Sequence, residues 1–81
     1  MEHDMSARVY RRIRTVVEVK SEFTGRTVPV GVFGTVVECY DDPAEAYAVD
    51  LSIPDPGQVS GYAYENVVLR PGQFEWLEEK G

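Results

Sequence analysis

The chain has 81 residues, a formal net charge of −6, one cysteine and one histidine. That length supports one domain with a modest core; Cys39 alone excludes an intrachain disulfide, and Cys39 with His3 falls short of the tetrahedral N/S ligand set of a structural zinc site. The charge is uneven, since residues 1–14 carry a net +2 and residues 15–81 a net −8, and an acidic body repels phosphate backbones while favouring basic partners.

Met1 to Ser6 is polar, with no apolar stretch behind a basic start, so no leader is read there; residues 1–7 are expected as a disordered arm. Val9 to Val19 nearly alternates and is rich in β-branched side chains, which argues strand. Val9, Ile13, Val16 and Val17 also fit a helical face. The choice stays open for residues 8–14, while Thr15 to Val19 reads as strand. Ser21 to Thr27 reads as a loop, and Pro29, lacking an N–H, suits Val28-Pro29-Val30 to an edge. Gly34 to Tyr40 is the strongest strand, entered through a bend at Gly31 and Gly34 and ended by Asp41-Asp42-Pro43. Tyr47 to Ile53 alternates, with Tyr47, Val49, Leu51 and Ile53 inward. A Pro- and Gly-bearing loop fills residues 54–61, Tyr62 to Leu69 is the next strand, and Arg70-Pro71-Gly72 is a turn. Phe74 to Leu77 packs back as a last strand or a single helical turn, and residues 78–81 are expected to fray. About five short strands with tight connections predict an all-β domain over residues 8–77, a small and partly open barrel whose closure hides strand edges. No apolar run approaches the ~20 residues of a membrane-spanning helix, and a cytoplasmic location is the expectation.

Val30-Gly31-Val32-Phe33-Gly34-Thr35-Val36-Val37-Glu38-Cys39-Tyr40 followed by Tyr47-Ala48-Val49-Asp50-Leu51 resembles the G-x-x-G-x-V turn and hairpin of SH3-like barrels of the KOW type. It is most similar to a small bacterial domain family without assigned function. The likeness covers residues 15–69 and implies a five-stranded SH3-like barrel with Val36 in the core beside Val49 and Leu51. Asp50 and Leu51 stand where the family pattern has a glutamate and an aromatic, and the pattern accounts for neither the 54–61 loop nor Phe74 to Leu77. Nucleic-acid binding is not carried over, because KOW-type domains use basic loops and these loops are acidic.

No residue constellation reads as catalytic. His3 is the one unperturbed base near neutral pH, and it has no nucleophile beside it in sequence. Cys39, flanked by Glu38 and Tyr40, lacks the cation that lowers a thiol pKa and reads as a packing residue. No cofactor site is expected. Glu38, Asp41, Asp42 and Glu45 cluster around one turn without the spacing of a calcium loop, so no metal site is assigned there; they read as a solvated turn or as a docking patch for a basic partner. Tyr40, Tyr62 and Tyr64 are candidates for the same partner surface, tyrosine being enriched at binding hot spots. Phe74 with Trp76 reads as a lid over the barrel end or a dimer contact. Arg8, Arg11, Arg12 and Arg14 either contact phosphate or pair with the acidic body, within one chain or between two. These readings combine into a non-catalytic protein-binding module. Its sharpest form is an immunity- or antitoxin-type inhibitor that masks a basic partner. The rivals are an accessory subunit of a larger complex, favoured by an apolar patch at Phe74, Trp76 and Leu77, and nucleic-acid binding through the Arg-rich first strand. A homodimer is left open.

Overall fold

Strands form where apolar and polar side chains alternate over a β-branched, aromatic-rich run. In the computed structural model, which describes residues 5–77, these are β1 (Arg12–Thr15), β2 (Val19–Lys20), β3 (Thr27–Val28), β4 (Phe33–Tyr40), β5 (Ala46–Pro54), β6 (Tyr62–Leu69) and β7 (Phe74–Trp76). The fold is all-β, with no α-helix among the described residues. Five strands form one antiparallel sheet in the order β6-β5-β4-β1-β7, and β2 pairs with β3 as a separate ribbon. β4, β5 and β6 are a meander, while β1 lies between β4 and β7. This is the expected all-β domain, a small and partly open barrel, with the two-stranded ribbon added to the five expected strands.

The core follows from the alternation. Tyr47, Val49 and Leu51 of β5 are fully buried, as are Ile13, Val36 and Leu69, and Val36 pairs directly with Val49. Gly34 enters this core without the bend expected of it. Its neighbours are Ile13 on β1 and Leu51 on β5, and an added Cβ would lie 2.8 Å from the Asp50 carbonyl oxygen. The turn belongs to Gly31, at φ +87°, a conformation that favours glycine.

In the N-terminal stretch the open choice between strand and helix over residues 8–14 resolves into strand from Arg12, and the strand expected over Thr15 to Val19 is broken. Met5–Arg8 is one 3₁₀ turn rather than part of a disordered arm. Tyr10 then takes φ +73° while its N–H bonds Val36 O, so the chain turns sharply into β1. After Thr15 it leaves the sheet, and Val16 to Glu18 form a bend before the ribbon rather than more strand. Periodicity could not register this departure, because Val16 and Val17 are β-branched yet exposed. The 21–27 segment, read as a loop, includes the start of β3; the ribbon turns through Gly25 at φ +75°. Buried Thr15 fastens the ribbon's far end, its hydroxyl donating to Pro29 O (3.0 Å) and accepting from Val32 N–H (2.9 Å). Residues 1–4 with His3, and the tail at 78–81, lie outside the described residues.

Candidate functional site

A β-bulge decides what the tip of the β4–β5 hairpin shows to solvent. Strict alternation from Gly34 and Val36 would send Glu38 and Tyr40 into the core. The register shifts between Val36 and Glu38, and the extra residue, Val37, reverses the parity. Cys39, opposite Tyr47, then packs against the core, while Glu38 and Tyr40, opposite Ala48 and Ala46, emerge on the outer face. Asp41 and Asp42 follow in the turn, both exposed, with the Asp42–Pro43 peptide cis. Among the described residues no cation lies within ion-pair distance of Glu38, Asp41 or Asp42. Partial burial, with the Glu38 charge and a hydrogen bond to it, pushes the Tyr40 phenol up.

Glu45, the fourth acid of the turn, points elsewhere. Its carboxylate meets Arg8 at 3.1 Å and accepts a short hydrogen bond from the Tyr47 hydroxyl, which Arg8 also reaches. The Arg8 guanidinium lies 5.8 Å from the Trp76 ring centre and that of Arg11 5.0 Å. Tyr47, Phe74 and Trp76 meet edge to face at 5.1–5.5 Å, a favoured aromatic geometry. Phe74 is buried and Trp76 half-buried beneath the arginines. Phe74 and Trp76 thus pack against Tyr47 at the barrel end, and Trp76 and Leu77 remain half-buried there. Arg14 pairs with Glu75 across the β1–β7 ladder. Of the four arginines, Arg8 and Arg14 bond carboxylates of the same chain, Arg11 stacks on Trp76, and the Arg12 guanidinium has no hydrogen-bond or ion-pair partner among the described residues.

Tyr62 and Tyr64 stand at the other end of the sheet, opposite Pro54 and Ser52. From Phe33 to Tyr40, β4 carries these two ends about 23 Å apart at 3.3 Å per residue. The tyrosine and acidic candidates therefore form two patches of one outer face. Phe33, which sequence reading left out, joins Tyr62 and Tyr64: Phe33 and Tyr64 flank small Ser52 in one cross-strand row. With Arg12 and Pro54 they line a groove of about 350 Å³. A second recess of about 460 Å³ separates the ribbon from β6. Glu18, Glu22, Lys20 and Arg70 line it with charges of both signs, so it offers no field of one sign.

Burial pushes the Cys39 thiol up, with Glu38 adding and Arg8 opposing, which disfavours the thiolate. Among the described residues no three His, Cys, Asp or Glu side chains converge on a common metal position, and no helix is long and apolar enough to cross a membrane.

Glu65 is a further residue that alternation hides. It occupies an inward position of edge strand β6, 7 % exposed, and accepts a 2.6 Å hydrogen bond from Thr24. An inward charge on an edge strand discourages edge-to-edge pairing, and here it also ties down the ribbon turn. Hydrogen bonds from Thr24 and Ser21 hold its carboxyl below the usual glutamate value. A folded-state pKa below the unfolded one contributes stability that is fully present above the ordinary glutamate value and is lost as pH falls from there through the lowered folded-state value. Acid unfolding followed by circular dichroism is expected to show this loss, and Glu65→Gln is expected to flatten it.

No protein-family model matches this chain, and no curated protein or solved structure matches it.

Proposed function

We propose that the chain is a protein-binding module that acts without catalysis, docking the acidic β4–β5 tip on a basic partner. An inhibitor of the immunity or antitoxin type, seated over a basic cleft in that partner, is the specific form of this reading. The observation that carries it is the bulge at Val37. That device delivers Glu38 and Tyr40 to the surface beside Asp41 and Asp42, and the described residues offer those carboxylates no cation. Uncompensated like charge around an exposed aromatic suits rapid, electrostatically steered association. The internal partners of Arg8, Arg11 and Arg14 weigh against phosphate contact through the first strand.

The test is affinity capture from source cells with the tagged chain, wild type against Asp41→Lys/Asp42→Lys, at low and high salt. Recovery of one basic protein is expected, reduced about tenfold or more by the paired charge reversal. Equal recovery by the variant, or recovery of nucleic acid instead, would overturn the reading.

A further inference from the structure

The outer face of the β4-β5-β6 sheet is partly apolar and electrically divided. Phe33, Tyr40, Tyr62, Tyr64 and Val68 are exposed there, with Val37 exposed at the bulge. Tyr64 alone leaves 67 % of its surface in solvent. Exposed apolar patches mark interaction sites, and this face carries one at each end, separated by the polar row Thr35, Asp50 and Asn66. One end of the face carries Glu38, Asp41 and Asp42 beside Tyr40. The other carries Arg12 at the rim of the groove lined by Phe33, Tyr62 and Tyr64. Between them the Asp50 carboxylate already accepts a 2.6 Å hydrogen bond from Asn66.

We propose that this face pairs with the same face of a second copy of the chain. A two-fold axis lying between the sheets and across the strands turns one copy end for end. The acidic tip of each copy then faces the Arg12 groove of the other, and the contact is made twice. Such an isologous contact needs a self-complementary surface, and opposite charges at the two ends of one face supply it. The two ends are too far apart on one rigid sheet to satisfy each other within a chain, so a second copy is the occupant that matches both at once. Tyr40, beside the acids, is the side chain placed to enter the groove between Phe33 and Tyr64.

The pairing shares the tip with the proposed partner, and Arg12 separates the two ideas: Arg12→Glu destroys the groove's charge and leaves the tip intact. Sedimentation equilibrium at low salt is expected to show a dimer for the wild type. Arg12→Glu and Asp41→Lys/Asp42→Lys are each expected to raise the dimer dissociation constant by about tenfold or more. An equimolar mixture of the two variants is expected to restore the dimer, because every contact in the mixed pair again joins opposite charges. Circular dichroism checks that these exposed substitutions leave the fold intact. A wild type that stays monomeric at low salt, a dimer indifferent to both variants, or a mixture that fails to recover would overturn the proposal. Loss of dimer in Arg12→Glu with partner capture unchanged would separate this surface from the partner reading, and loss of capture by the tip variant alone would bear only on the latter.

Discussion

Gly34→Ala is expected to be among the most damaging single-atom additions to this chain. The new Cβ would sit 2.7 Å from Leu51 Cδ2, 2.8 Å from Val49 Cγ1 and 2.8 Å from the Asp50 carbonyl oxygen. Side-chain carbons can rotate away, but the Asp50 carbonyl belongs to the β4–β5 ladder and cannot move without opening it. Overpacking of this kind costs roughly 1–3 kcal/mol, and the rigid backbone neighbour puts Gly34→Ala at the upper end. For a domain this small each kcal/mol lowers Tm by about 4–8 °C, so thermal unfolding is expected to shift down by on the order of 10–20 °C. A shift of only a few degrees would mean that β4 and β5 separate more easily than their register implies.

Tyr47→Ala is expected to leave the chain largely unfolded at physiological temperature. Tyr47 is fully buried and packs edge to face on both Phe74 (5.5 Å) and Trp76 (5.2 Å). Removing such a ring costs about 3–5 kcal/mol, while a core of this size supplies only about 3–5 kcal/mol in all. Tyr47→Phe separates the ring from its hydroxyl. The Arg8–Glu45 pair at 3.1 Å remains, and the lost hydrogen bonds cost about 1 kcal/mol. Near-ultraviolet circular dichroism with denaturant titration checks both: Tyr47→Ala should lose the aromatic signal without denaturant, and Tyr47→Phe should keep it. Equal losses would place the stabilisation in the hydroxyl cluster rather than in the rings.

Local pattern revealed the parts of the fold that local pattern controls. β5 alternates cleanly, so the inward set Tyr47, Val49, Leu51 and Ile53 could be read directly, and β6 was bounded by the Pro- and Gly-bearing loop before it and Arg70-Pro71-Gly72 after it. Of the main sheet's other strands, β4 was legible, whereas β1 was left between strand and helix and β7, three residues long, between strand and helical turn. The ribbon was not legible, because β2 and β3 contribute two residues each, too few for a period to register, and are held by Thr15 and Glu65 from other strands. The acids at the β4–β5 turn were visible as a cluster, but the side each faces depends on the bulge at Val37 and, for Glu45, on Arg8, distant in sequence. The partnership of Phe33 with Tyr64 depends on cross-strand register, which alternation within one strand does not contain. Its available signal was parity: Phe33 precedes the inward Gly34, as Tyr64 precedes the inward Glu65.

The most direct test of the account is the association rate of the captured partner, measured by stopped flow across a range of ionic strength. The account expects the rate to fall steeply with added salt for the wild type, and Asp41→Lys/Asp42→Lys to associate slowly with that dependence flattened or reversed. A wild-type rate indifferent to salt, or one unchanged by reversing the tip charges, would contradict it.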